Sequence, residues 1–253
     1  MALSINDFFS ADNIISQLDE REYEKKDIFL EASTAFARNL YQPVYIVDFY
    51  RQNFFFISGN FLYLCGITGE QLNTNVDNLY FDYVPEEEEP MLKEIISKSF
   101  ELFYSFPKDE RRDWTLSYYF HLCYNENKRL IQHKITPLRI TEDGKLWLAL
   151  CMISLSSRKD SGNVTMRRFQ HQDYFYYSIA KKVWYYREGI SLTDIEKDLL
   201  SMSSQGYTVK EISERICKSE DTIKAYKRKL FAKLGVKNIT EAVLLAINDD
   251  LFH

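Results

Sequence analysis

The sequence predicts an α+β chain in two parts, an antiparallel sheet with helices followed by an all-α domain of four helices. Three observations predict it. Runs rich in β-branched and aromatic residues fall at 44–50, 54–58, 114–124, 129–141 and 145–154, with helical stretches between the second and the third. From 192 to 248 the apolar residues change to helical spacing, punctuated by Ser, Thr, Asn and Gly at positions suited to caps. The charge is also uneven: 22 Lys and Arg face 27 Asp and Glu in the first 188 residues and ten face ten thereafter, yet residues 218–237 hold seven basic residues against two acidic.

Taken in order, residues 12–39 read as helical, with Ile14, Ile15, Leu18, Ile28, Leu30 and Phe36 spaced among charges. The runs 44–50 and 54–58, separated by Arg51-Gln52-Asn53, read as a hairpin. Short helical pieces follow at 61–65 and 69–72. A longer helix is expected from 86 to about 104, with Met91, Ile95, Ile96, Phe100 and Phe103 inward and four Glu at its start, where the helix dipole favours acids. Three long strands then form a meander with polar turns at 125–128 and 142–144. The stretch 158–163 reads as a break. Aromatics on both sides of Ala180-Lys181-Lys182 favour a β-hairpin across 174–187 over a helix. The domains expected are therefore a helical segment 1–40, a sheet domain 41–157, a connector 158–189 and a helical domain 190–253.

In the last part, Thr193 with Glu196 forms a capping box that opens a helix carrying Ile195, Leu199, Leu200 and Met202. Gly206 ends it, and Thr208 caps a short helix, 209–216. After a tight turn, Ser219 caps a third helix whose inward stripe is Ile223, Tyr226 or Lys227, Leu230 and Leu234, with Gly235 just past its end. Asn238 and Thr240 lead into a fourth helix carrying Ala242, Val243, Leu245 and Ala246. A short helix, a tight turn and a second helix with a polar outer face make a helix-turn-helix, in which the second helix enters the major groove of DNA.

The motifs Leu192-Thr193-x-x-Glu196, Gly206-x-Thr208-x-Lys210-Glu211-Ile212, Ser219-x-x-Thr222-Ile223-Lys224 and Lys233-Leu234-Gly235-Val236-x-Asn238 together resemble the LuxR/FixJ-type DNA-binding domain. Ile195, Ser213 and Tyr226 depart from that pattern, standing where the family usually has Arg, Ala and His. With Ile223 and Leu230 inward, Lys224 and Arg228 project together. The resemblance implies that these two contact bases, with Asp221 and Ala225 alongside. Thr208, Lys210, Thr222, Lys227, Lys229 and Lys233 are placed to meet phosphates. The order of two strands, several helices and three strands across 43–156 resembles a PAS domain, which implies an antiparallel sheet with helices over one face and a sensory or dimerising role.

Other signals are weaker. Cys65, Cys123, Cys151 and Cys217 have no CxxC spacing and read as buried reduced thiols. No stretch of eighteen apolar residues exists and the N-terminus lacks the pattern of a signal peptide, so no membrane contact is expected and a cytoplasmic location is. Asp48 is set aside as a receiver phosphoacceptor, since a receiver alternates strands and helices. Cys65 lacks the neighbours of a flavin photosensor thiol, and His121 and His133, on adjacent strands, read as structural rather than as haem ligands. No nucleophile elbow, Walker loop or zinc-protease motif appears, so no catalytic residue, metal or cofactor is expected.

The expectation is thus a transcriptional regulator that binds double-stranded DNA as a homodimer. An RNA polymerase contact and a small-molecule ligand in the PAS-like domain are further partners this reading admits. Two rivals remain, a haem or flavin sensor with a DNA-binding output and a module that binds protein rather than DNA.

Overall fold

The structure, a computed structural model, describes residues 9, 13–24, 26–58, 83–124, 127–156, 158–249 and 251. The helical pieces expected at 61–65 and 69–72, with Cys65, lie outside the described residues. The chain divides into two compact units, 1–169 with 174–186, and 170–173 with 187–253.

The first unit is built on one antiparallel sheet of eight strands in the order β2-β1-β5-β4-β3-β6-β7-β8. The strands are β1 Val44–Asp48, β2 Asn53–Ile57, β3 Trp114–Tyr124, β4 Asn127–Ile140, β5 Leu146–Leu155, β6 Gly162–Arg168, β7 Tyr174–Ser178 and β8 Val183–Arg187. Successive side chains point to opposite faces. On one face Tyr45, Val47, Leu116, Tyr118, Phe120, Ile131, Cys151, Ile153, Val164 and Met166 form a single core with Leu92, Ile95, Ile96, Phe100 and Phe103 of a helix. That helix, α3 (Glu89–Ser105), places these residues at spacings of three and four and has Pro in its first turn. Arg111 donates to the carbonyls of Tyr104 and Phe106, acceptors at the end of α3, and to that of Gly144 in the β4–β5 turn. An antiparallel sheet with a helix over one face is the arrangement that the PAS resemblance implies.

The second face is covered too. Ile46, Trp147 and Leu148 pack with Ile15, Leu18, Tyr23 and Phe29 from the leading segment. Register shifts at Pro137–Arg139 and Arg139–Ile140 turn β5 against β4, and there Trp147 joins Leu148 on this face. The leading segment is less helical than the sequence implies: its helices are α1 (Glu20–Glu24) and α2 (Lys26–Ala37), and 14–19 are irregular. Just ahead of them Asn13 is buried and bonded to both the N–H and the C=O of Leu146, which ties the chain there to the start of β5.

Strand β6 lies where the sequence reads as a break. Gly162 and Asn163 have positive φ and signal a turn, but Val164 and Met166 then alternate inward and pair with β3 and β7. Residues 162–187 therefore extend the sheet by three strands, the last two joined by a turn at 179–182.

The second unit holds four helices, α4 (Asp194–Ser204), α5 (Val209–Ile216), α6 (Glu220–Leu234) and α7 (Ile239–Asn248). Leu192, Leu200, Leu230, Leu234, Ala242, Leu245 and Ala246 make one core, and Leu199, Ile212 and Ile223 a second, with Tyr226 and Met202 packed on it. Thr193 with Glu196 and Thr208 with Glu211 are both complete capping boxes. Cys217 departs from the expected buried thiol. It ends α5 in the left-handed conformation at φ +55 and is exposed, whereas Cys151 is buried and Cys123 half-buried.

Candidate nucleic-acid interface

The turn between α5 and α6 is Cys217-Lys218-Ser219. The left-handed Cys217 sends the chain sharply back, and the Ser219 hydroxyl accepts from the backbone N–H of Thr222 to start α6. Ser213 of α5 is buried, and as a small residue it allows the two helices to come close.

Each residue of α6 advances by about 100° around the axis. Ile223, Leu230 and Leu234 lie within about 40° of one another and are buried. Asp221, Lys224, Ala225 and Arg228 cluster on the opposite side, within about 100°. All but the half-buried Ala225 are exposed. The four residues expected at bases thus form one outward stripe. Thr222, Lys229 and Lys233 fall on one flank of it and Lys227 on the other, while Thr208 and Lys210 are exposed at the start of α5.

These side chains differ in their present engagements. Arg228, Lys229 and Lys210 make no ion pair with the described residues. Lys224 lies 3.4 Å from Asp221 and 3.9 Å from Glu220, in exposed pairs worth little in water. Lys227 is half-buried, and burial holds its ammonium below the ordinary lysine value. Lys233 is held most firmly, 2.6 Å from Glu196. Burial pushes the Glu196 carboxyl up, but bonds from Lys233 and Thr193 outweigh that and leave it below the usual carboxylate range. Thr208 is committed as a cap, with its hydroxyl 2.8 Å from Glu211. Tyr226 packs against the smaller core.

In the sheet unit, His133 is fully buried between two tyrosines. Its Nε2 lies 2.6 Å from the Tyr45 hydroxyl and its Nδ1 2.6 Å from the Tyr118 hydroxyl. Burial pushes its pKa down to about 3, so the ring is neutral, with one donor and one acceptor nitrogen, and the two hydroxyls serve both. His121 Nδ1 lies 2.6 Å from Glu88, whose other oxygen accepts from the His121 backbone N–H. The sequence missed this pairing because Glu88 and His121 stand 33 positions apart. Asp48 accepts from the Tyr50 and Arg51 backbone N–H groups and from the Tyr23 hydroxyl. It closes the β1–β2 turn and ties α1 to it. Among the described residues no group of three or more His, Cys, Asp or Glu could hold a metal, and no helix is long and apolar enough to cross a membrane.

A four-helix unit with a tight turn between α5 and α6 and a basic outer stripe defines a helix-turn-helix domain of the kind that binds DNA. Residues 190–246 match the family described as bacterial regulatory proteins, luxR family, so the C-terminal unit carries a domain of that family. The chain is also 44% identical over 55 residues to the DNA-binding transcriptional activator DevR/DosR of Mycobacterium tuberculosis, a match that covers 22% of this chain and 25% of that protein. Among solved structures it is similar to the phage VqmA–DPO complex, at 17% identity, 91% of each chain and a TM-score of 0.33. It is also similar to the Vibrio cholerae VqmA dimer, at 14% identity, 88% of this chain, 93% of that one and a TM-score of 0.34.

Proposed function

We propose that the protein is a sequence-specific, DNA-binding transcriptional regulator that works as a dimer, its PAS-like unit sensing a signal or holding the two copies together. The observation that carries this reading is the outward stripe of Asp221, Lys224, Ala225 and Arg228 opposite the buried Ile223, Leu230 and Leu234. Arg228 and Lys224 would contact guanine edges. Thr208, Lys210, Thr222, Lys227, Lys229 and Lys233 would meet phosphates on either side of the groove. The 55-residue match to DevR/DosR, itself described as a transcriptional activator, supports the same reading. An RNA polymerase contact and a cytoplasmic location belong to it as well.

One reader of this size buries only about 600–1,000 Å² on DNA, too little for specific occupancy of a genome, so two copies are needed. The exposed Leu244 and Ile247 on α7 would set the spacing of half-sites, and the larger apolar area of the sheet unit would hold the dimer. The test is Arg228→Ala in gel shifts with specific and random DNA, after a genome-wide binding experiment has supplied the site. Loss of one bidentate contact costs about 1–3 kcal/mol on the specific site and leaves random DNA nearly unaffected. Equal losses on both would refute the assignment.

A further inference from the structure

Helix α2 is held to the sheet unit by one side. Phe29 packs on the second face of the sheet and Ala37 is buried. Another side carries Ile28, Ala32, Ala35 and Phe36, with Asn39 in the turn that follows, and at 100° per residue these fall within about 100° of one another. Ile28 is 66% exposed and Phe36 53%, and the other three are exposed as well. Single exposed apolar residues are ordinary, but a row of them at helical spacing is the pattern of a helix that packs on this side too. Ala32 and Ala35, at its middle, are small enough to let a second helix come close. Along one edge of the row stand Asp27, Glu31 and Arg38, within about 40° of one another. All three are exposed, and none makes an ion pair with the described residues.

We propose that this row pairs with the same row of a second copy of the chain, the two α2 helices running antiparallel, with Ala32 of each opposite the partner's Ala35. The inference deepens the reading of the protein as a dimer, rests on it, and names the surface that joins the copies. The charges select both the occupant and its direction. In a two-fold pair of antiparallel helices each edge meets the same edge of its partner. With Ala32 set against the partner's Ala35, Arg38 comes level with position 29 of the other helix, about 3 Å along the axis from both the partner's Asp27 and the partner's Glu31. The symmetry makes this acid–base cluster twice. A parallel pair would set the charged edge against the side of Phe29 and Ser33 and leave all three charges unpaired. Twelve residues of helix span only about 18 Å, so the interface falls short of the roughly 1,200 Å² of a stable one and the pair should dissociate on dilution.

Sedimentation of the intact chain over a dilution series, without DNA, measures the pairing. Ile28→Asp sets a carboxylate in the seam and is expected to weaken dimerisation at least about tenfold. Arg38→Glu turns attraction into repulsion at two symmetric places and should weaken it roughly tenfold. Asp27→Lys, Glu31→Lys and Arg38→Glu combined restore opposite charges across the pair, so this triple variant should return to within about threefold of the parent. Urea unfolding of each variant checks that the sheet unit still folds. Direction is read by cross-linking in a chain that carries Cys217→Ser, which removes an exposed native thiol. A mixture of Ile28→Cys and Asn39→Cys chains is expected to give a mixed disulfide dimer on mild oxidation, and neither variant a dimer by itself. Disulfide dimers from each variant alone, a parent dimer unmoved by Ile28→Asp, a triple variant no better than Arg38→Glu, or a parent that stays monomeric when concentrated would each overturn the proposal. The reading of the protein as a dimer on DNA falls only if a single copy occupies the specific site, and the Arg228→Ala test bears on α6 alone.

Discussion

Helix starts in the C-terminal unit are closed from within a few residues. Thr193 caps with Glu196, Thr208 with Glu211, Ser219 with Thr222 and Asn238 with Glu241, each pair three positions apart. In the sheet unit some buried polar groups find partners far along the chain: Tyr45 and His133 are 88 positions apart, and Asn13 and Leu146 are 133. The first kind of order is local, survives as a pattern of letters, and is worth small increments at each cap. The second exists only once the sheet has formed. Its failure is cooperative, because each buried group left alone carries its full desolvation penalty.

The largest effect is expected where the local unit depends on non-local packing. Leu230 is fully buried in the larger helical core. Leu230→Ala should destabilise the C-terminal unit by about 2–5 kcal/mol. Loss of helical signal in urea at a lower midpoint, with the tryptophan fluorescence of the sheet unit unchanged, would also show that the units unfold separately. A single transition shifted for both probes would break the comparison.

Next comes acid. His133 is neutral in the folded sheet unit, with a pKa of about 3, and takes up a proton near 6.5 once unfolded. The unfolded chain therefore binds more protons below 6.5. Stability is fully present above that pH and falls by about 1.4 kcal/mol per unit as pH drops toward 3. Asp48 acts in the opposite sense, because burial raises its carboxyl and the folded state then holds the proton more tightly. His133→Asn isolates the first contribution: between pH 6.5 and 5 its stability should be flatter than that of the parent protein, measured by urea unfolding at each pH. Parallel slopes would mean that His133 is not neutral in its buried site.

The same contrast explains what the sequence disclosed. Caps, turn and the stripe Ile223–Leu230–Leu234 were readable because helix chemistry repeats within a few residues, and the outward positions of Asp221, Lys224 and Arg228 followed from it. Strands β1 to β5 were readable as runs, and so were the β1–β2 hairpin and the β3–β4–β5 meander, but the pairing of β1 with β5 was not, since it depends on contacts such as Val47 with Ala149 that no local pattern marks. Strand β6 hid behind Gly162 and Asn163, which signalled a turn correctly and masked the alternation of Val164 and Met166. The Tyr118–His133–Tyr45 chain was illegible for the same reason: His133 looked like a lone strand histidine until the sheet placed two hydroxyls at its nitrogens.

A smaller effect should come from the caps. The Thr208 hydroxyl accepts from the Glu211 N–H, and the Glu211 carboxylate accepts from the Thr208 N–H. Thr208→Ala should cost about 1 kcal/mol of stability, and Thr208→Ser much less. If Thr208 also meets a phosphate, the alanine variant loses DNA affinity beyond what its stability explains. Affinity measured well below the melting range separates the two.

The smallest effect concerns Lys233, where stability and DNA contact compete. On charge alone, Lys210→Ala and Lys233→Ala should each reduce the slope of log affinity against log salt by about 0.9, one phosphate's worth of released counterions. Lys210 is exposed with no ion pair to the described residues, so it should give that full reduction. Lys233 is held 2.6 Å from Glu196, which is itself locked into the α4 capping box with Thr193. Lys233 must therefore either leave Glu196 or share itself between that carboxylate and a phosphate. Lys233→Ala is accordingly expected to change the slope by less than Lys210→Ala, and Glu196→Gln, which keeps the box geometry but removes the charge, should restore Lys233 to a full contribution and steepen the slope of the otherwise unaltered protein. Identical slopes for Lys210→Ala and Lys233→Ala, with no change for Glu196→Gln, would show that the Glu196 pair opens freely and has no bearing on DNA.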